Sequence, residues 1–379
     1  MIGFSEGFHD AAVAVINDGK ICYATHSERY SKIKHDKHLD ITAASTAQLL
    51  CHDGTIAFYE RPLLKRTRQF FAGQKAWRRQ RHLSLKPTQY YSHHKSHAAA
   101  AFQTSPFDEA AIVVVDSIGE WDTTSIWTAE YGDYGKAVYK KRWSQWYPQS
   151  IGLWYSALTK WAGLRPLDEE YIFMGMAAFG NPVHMNVVER QLYKNNHKGA
   201  RIGDYDKCDI AKSAERILQL ELNTIFAKAA QYSKHICYGG GVALNCVVNT
   251  GLREMYNMWI MPCPGDAGGA LGAACLAYGG KVDFSPYLGY NIQKFCDPRR
   301  VVDGLLEKRV VGVANGRAEF GPRALGNRSL LADPRQAETK DLVNKIKKRD
   351  LFSPFAPAIL EEPCQDYFER PKRSRYMSY

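Results

Sequence analysis

The chain opens on three short apolar runs, "IGFSEG", "AAVAVIND" and "KICYATHSER", the last two meeting at Asp18-Gly19. Asp-Gly between alternating runs is a strong tight-hairpin signal, so a β-meander is predicted. "ITAASTAQLLCHDG" then takes helical spacing and "TIAFYE" reads as a short strand. Further along, the order returns. "AAIVVVDSIGE" is an apolar run ending in Asp116, Gly119 and Glu120, "TTSIWTAEYGD" follows, and "KAVYKKRWS" comes after Gly135. Two strand–hairpin–strand units in the same order predict an internal duplication. "YGGGVALNC", after the apolar "HIC", and "GDAGGALGAACLAYG" each open a helix on glycine. Strands followed by glycine-led helices imply an α/β sheet with ligands at the strand ends.

Other stretches fit this pattern less well. Residues 61–85 are basic and aromatic, and read first as a solvated helix with Leu, Phe and Trp inward; the rival reading is a surface for nucleic acid or an anionic substrate. Residues 280–300 read as a linker, and "RVVGVANGRAEFGPRALGNRS" starts a new strand–loop unit beyond it. The domains are therefore placed at 1–295 and 296–379. The second has too little chain to complete a domain, which reads as a fragment or a reduced one.

Composition narrows the class. With 45% apolar and 23% charged residues, the 379-residue chain is an ordinary globular protein. It lacks a membrane-length apolar run and a secretory leader, and its nine scattered cysteines, without a CxxC pair, read as reduced thiols in the cytoplasm. The net charge of +11 favours anionic partners such as phosphorylated small molecules, nucleic acid or an acidic protein.

The candidate chemistry lies in the breaks between elements. His93 and His97 are four apart in "SHHKSHAAAA" and would share one helix face, either as metal ligands or as buried hydrogen-bonding rings. Asp116 ends an apolar strand, where a buried acid needs a partner or an ion, and Asp266 opens a glycine-rich helix, where it also fits an N-cap. Two His and two Asp would suit Fe²⁺, Mn²⁺ or Zn²⁺. In "SEGFHDA", His9 is a candidate general base and Asp10 its orienting partner, against a plain hairpin turn. Gly240, Gly241 and Asn245 fit either a nucleotide at a helix start or tight strand–helix packing. Arg317, Arg323 and Arg328, on a turn stiffened by glycine and proline, suit phosphate or carboxylate, with Lys347 downstream.

In order, "HHxxHAxxA", "VVDxxGE", "SIGLWYSALTKWAG", "MGMAAFG", "GGGVALNC", "GDAGGALGAA", "EFGPRALGNRSLLADPR" and "FSPFAPAILEE" resemble the nodulation and antibiotic O-carbamoyltransferase family over nearly the whole chain. The resemblance implies a duplicated actin/sugar-kinase-like (ASKHA) domain. It is followed by the start of a smaller α/β domain similar to the YrdC-like proteins that form threonylcarbamoyl adenylate. It implies ATP and carbamoyl phosphate as co-substrates, a carbamoyl adenylate, and transfer to an acceptor hydroxyl near an iron(II)-type divalent metal. By motif, His93, His97, Asp116 and Asp266 match the metal set. His9, with Asp10, matches the transfer site, Gly240, Gly241 and Asn245 the nucleotide site, and Arg323, Arg328 and Lys347 the adenylate site.

The chain departs from that pattern at Ser353, where the family has arginine, at Ile172, where it has lysine, and at Ser117, where it has glycine. The family also continues well past "YMSY". The expectation is a nearly complete transferase site and impaired adenylate formation in this chain alone. The acceptor is expected to be a hydroxylated sugar, nucleoside or related small molecule. The rivals are the same chemistry on a nucleotide or nucleic acid steered by residues 61–85, and a non-catalytic nucleotide-binding scaffold.

Overall fold

The computed structural model describes residues 1–379 except 75–84, 193, 294–295 and 370–372. Its first sheet contains β1 (Ile2–Ser5), β2 (Ala12–Asn17), β3 (Lys20–His26), β4 (Ile56–Phe58) and β5 (Gln89–Tyr90), in the order β3-β2-β1-β4-β5. β1, β2 and β3 form an antiparallel meander, and β4 and β5 continue from β1 in parallel. Asp18 and Gly19 both take positive φ (48° and 77°), as the predicted tight hairpin requires.

The second sheet repeats this design. β6 (Glu109–Val115), β7 (Asp122–Tyr131) and β8 (Ala137–Trp146) form the meander, and β9 (His235–Gly239) and β10 (Asn257–Ile260) extend from β6 in parallel. Each unit runs meander, helix, strand, helix, strand, helix. The predicted duplication is thus present at the level of strand order and direction, which is the duplicated actin/sugar-kinase-like arrangement.

The two units are locked by exchange. The helix closing the first unit, His93–Gln103, packs on β6 and β9 of the second sheet, and the helix closing the second, Asp266–Tyr278, packs on β1 and β2 of the first. They also cross each other, and small residues permit it. A side chain at Gly272 would have its Cβ 1.8 Å from the Ser96 carbonyl oxygen, and one at Gly3 would meet the Ala270 carbonyl at 2.1 Å. Alanines 98–101 of the first helix and Ala267, Ala270, Ala273 and Ala274 of the second are buried, so backbones approach where larger side chains would hold them apart.

Two expectations need correction. Within 280–300, β11 (Tyr287–Ile292) pairs antiparallel with β13 (Gly316–Glu319), and β12 (Val310–Ala314) pairs with β14 (Arg328–Ala332). The supposed linker therefore carries a strand, and Gly289 lets it lie close on Ala318. The basic helix, Pro62–Phe71, is turned the other way round. Lys65 and Arg68 are buried, while Leu63, Phe70 and Phe71 are each more than 70% exposed. Lys65 is drawn inward by Glu60, 2.7 Å away, and Arg68 lies over the Tyr147 ring. The expected inward Trp77 lies outside the described residues. Among the described residues, no helix is long and apolar enough to cross a membrane, and all nine cysteines are free thiols.

Candidate functional site

The crossing helices begin at one place, where the first strands of both sheets end. His93 is the first residue of its helix and Asp266 the first of the other, Asp116 follows β6, and the turn after β1 carries His9. His93, His97, Asp116 and Asp266 are all buried, and one ligand atom from each lies within 4.8 Å of the others. His93 Nε2 stands 2.9 Å from Asp116 Oδ2, 3.0 Å from His97 Nε2 and 3.3 Å from Asp266 Oδ1. His97 Nε2 is 3.5 Å from Asp266 Oδ1 and 3.9 Å from Asp116 Oδ2.

Hydrogen bonds alone do not account for this set. A ring nitrogen carries at most one proton, yet His93 Nε2 has two carboxylate oxygens and the His97 ring nitrogen close to bonding distance. Four ligands at ~2.1 Å from one ion would stand ~3.0–3.4 Å apart in octahedral or tetrahedral sites, close to the spacings seen. Both Nδ1 atoms are buried, and among the described residues neither has a hydrogen-bond partner. That of His93 faces the Glu60 carboxylate at 3.8 Å, the kind of acid that orients a ligating ring from its far side. The residues present therefore fit a divalent cation.

The electrostatics agree. Burial alone would raise the carboxyl of Asp266, but the charges and hydrogen bonds of His93, His9 and His97 outweigh it and hold it well below the usual range. Burial likewise opposes the ionised Asp116, and the His93 bond overcomes it. Two ionised carboxylates share this buried space, an arrangement a cation relieves.

The surrounding residues fix the ligands. Asp116 Oδ1 accepts from the Gly241 N–H at 3.1 Å. Gly240 takes a φ of 91°, and a Cβ there would sit 2.2 Å from the Val115 carbonyl, so only glycine lets this loop reach Asp116. Glu120 accepts from the backbone N–H groups of His93 and Arg61 and so caps the histidine helix, which lacks a cap from its own Ser92. His94 points away to the Ser125 hydroxyl, as its position on the helix predicts, and burial keeps it neutral.

His9 lies alongside. Its Nε2 is 3.9 Å from Asp266 Oδ2 and its Nδ1 2.8 Å from Asp10 Oδ2. Burial lowers its pKa, but the charge of Asp266 and the bond to Asp10 prevail, raising it to about 9. Asp10 also accepts from His35 Nδ1 at 2.8 Å, and His35 Nε2 lies 3.1 Å from Asp168. Glu60, Glu120, His35 and Asp168 were not singled out as site residues from sequence. No periodicity marks them, and the His35–Asp168 contact spans 133 residues.

Asn245 accepts from the Val248 N–H as a helix cap, and the Leu244 carbonyl beside it takes a hydrogen bond from Arg323. The arginine loop therefore touches the glycine loop. Arg317 and Arg328 are otherwise engaged. Arg328 donates to the carbonyls of Asn315, Gly316, Tyr290 and Asn327, and Arg317 to those of Cys22, Leu288 and Gly289. These bonds to backbone carbonyls brace the turn. Glu319 holds the same turn by accepting from the N–H groups of Leu325, Asn327 and Arg328. Lys347 follows the helix Thr339–Ile346, and among the described residues no hydrogen bond ties it to this loop. Burial, helped by Arg349, lowers its pKa.

A model of the carbamoyltransferase N-terminus matches residues 67–207 and 196–275, and one of the carbamoyltransferase C-terminus matches 302–379. The protein sll1178 of Synechocystis sp. is 32% identical over all of this chain and 78% of its own length. The nodulation protein NolNO of Sinorhizobium fredii is 28% identical over 96% of this chain, which spans 64% of it. A 3'-hydroxymethylcephem-O-carbamoyltransferase of Amycolatopsis lactamdurans is 27% identical over all of this chain and 82% of its own length. Among solved structures, HypF of T. kodakarensis aligns over 73% of this chain and 47% of its own at 14% identity, with a TM-score of 0.41. The chain belongs to the carbamoyltransferase family.

Proposed function

We propose that the chain transfers a carbamoyl group from an ATP-derived carbamoyl adenylate to the hydroxyl of a sugar, nucleoside or related small molecule. The observation that carries this reading is the buried convergence of His93, His97, Asp116 and Asp266 beside His9 in a chain of this family. The four residues hold a divalent ion, of which Fe²⁺ is the first choice and Mn²⁺ or Zn²⁺ the alternatives. When bound, the ion supplies positive charge for the donor's phosphate and carbamoyl oxygens.

In the step itself, the acceptor oxygen bonds to the carbamoyl carbon and the bond from that carbon to the phosphate oxygen breaks, releasing AMP. His9 Nε2 takes the hydroxyl proton once the charges of Asp116 and Asp266 are balanced by the ion they hold. Asp10 keeps the ring in place through Nδ1. The glycine loop at Gly240, Gly241 and Asn245 receives the nucleotide, with Arg323 at its edge. Arg323 and Lys347 serve adenylate formation from ATP and carbamoyl phosphate, within a YrdC-like region over 296–379. The chain spans 64% of the length of NolNO. The nucleic-acid alternative rests on residues 61–85, of which 75–84 lie outside the described residues.

The test is to load the chain with Fe²⁺ and supply ATP and carbamoyl phosphate, or preformed carbamoyl adenylate, with a panel of sugars and nucleosides. Mass spectrometry of the acceptors should show the gain of one carbamoyl group, lost in His97→Ala. A metal-loaded chain that carbamoylates no acceptor from the preformed adenylate overturns the proposal.

A further inference from the structure

We infer that His35 and Asp168 are positioning residues for His9, acting through Asp10 and bonded to none of the four cation ligands in the bonds described. The inference rests on the transfer reading above for its function, and on geometry for its existence. Asp10 uses one carboxylate oxygen for His9 Nδ1 and the other for His35 Nδ1, both at 2.8 Å. His35 Nε2 continues the line to Asp168 Oδ1 at 3.1 Å. Asp168 is anchored in turn by Lys34 and by Arg165, the latter at 3.0 Å. The result is an unbroken chain from Asp168 through His35 and Asp10 to His9, whose far nitrogen faces Asp266.

The backbone supports a purpose for this chain. Asp10 and His35 both sit in the left-handed region, with φ of 52° and 53°, although neither is glycine. Such strain is kept where the surrounding structure needs a side chain in one place. A carboxylate has four lone-pair sites, so Asp10 held by His9 alone would be free to swing and to release the ring. The second bond, from His35, fixes both of its oxygens. Asp168 then fixes the His35 ring by its far nitrogen, the same device seen where an acid orients a working imidazole. His35 touches none of the four cation ligands in the bonds described, so its effect on transfer passes through Asp10.

The experiment uses full-length chain labelled with ¹⁵N-histidine and loaded with Zn²⁺ to keep it diamagnetic. Hydrogen-bonded Nδ1–H signals are expected for both His9 and His35. His35→Gln should remove its own signal and broaden or lose that of His9, with metal content unchanged. Asp168→Asn, a milder change, should shift the His35 signal and leave zinc in place. An unaltered His9 signal in folded His35→Gln overturns the inference. If that variant does not fold, an unshifted His35 signal in Asp168→Asn does so. In the transfer assay, His35→Gln should lower kcat ~10–100-fold with KM for the carbamoyl donor unchanged, and added imidazole should restore part of the loss in His35→Ala. Full activity in His35→Gln also overturns the inference. An inactive wild-type chain with intact His9 and His35 signals overturns the transfer reading alone.

Discussion

Two groups of histidine and aspartate lie side by side in this protein, and they settle their charges differently. In the His9–Asp10–His35 group the Nδ1 of each ring meets its own oxygen of Asp10 at 2.8 Å, and the set is half-buried. Donors and acceptors match one to one, so hydrogen bonds explain it. In the His93–His97–Asp116–Asp266 group one nitrogen faces three partners, the set is fully buried, and two ring nitrogens have no hydrogen-bond partner among the described residues. Residue type does not separate these groups; the count of available protons does. A cation completes the second and would compete with good hydrogen bonds in the first.

The sharpest way to break this comparison is to remove one member of each group. His97→Ala should abolish stoichiometric iron or zinc by elemental analysis and lower transfer ~10²–10³-fold or more. Asp10→Asn should slow transfer yet keep the metal. Metal loss in Asp10→Asn, or retention in His97→Ala, would show that the two groups have been assigned the wrong way round.

Chelation offers a second way. A cation present at ~100 times its Kd stabilises the folded chain by ~2.7 kcal/mol. Melting in Zn²⁺ and in a chelator should therefore differ for wild type and for His35→Gln alike. His97→Ala should melt at the same temperature under both conditions.

Packing offers a third. The two helices bring His97 and Asp266 together only because Gly272 leaves room for the Ser96 carbonyl. Gly272→Ala places a methyl where there is no space, at a cost of ~1–3 kcal/mol, measured by urea unfolding. It should also weaken metal binding by parting the helices, whereas the His9 ring, held from the turn after β1, should keep its Nδ1–H signal.

How much of this was legible beforehand differs along the same line. The strands of both meanders, the hairpin at Asp18-Gly19 and the glycine-led helix at Asp266 follow from local alternation and turn chemistry, which neighbouring residues determine. The i, i+4 spacing placed His93 and His97 on one face and His94 off it, and the structure keeps both statements. The inverted helix at Pro62–Phe71 was not legible. Its apolar residues are those exposed, because Glu60 and Tyr147, from other elements, draw Lys65 and Arg68 inward. The roles of Arg317 and Arg328 were hidden for the same reason. Their type suits anions, and the bonds they also make to carbonyls come from the loop's folded path. His35 and Asp168 become partners only through tertiary structure.

The smallest effect should separate the two groups by pH. The hydrogen bond that His35 donates to Asp10 is the main influence on its pKa; with the Asp10 charge it outweighs burial and raises the pKa above 6.5. The nearby charges act in opposite senses, Asp168 adding to the rise and Lys34 reducing it. A group whose folded pKa is raised binds its proton more tightly when folded. Its contribution is therefore complete below the unfolded value of 6.5, and it is lost as pH climbs through the raised one. Urea unfolding of zinc-loaded wild type should show this decline above pH 6.5, with His9, raised to about 9, adding to it, and His35→Gln should make it shallower. With zinc in place, the buried group cannot supply the same slope, because its histidines are held unprotonated by the ion. A decline of equal steepness in His35→Gln would mean that the titrating group lies elsewhere and that the half-buried bonds contribute less than their geometry implies.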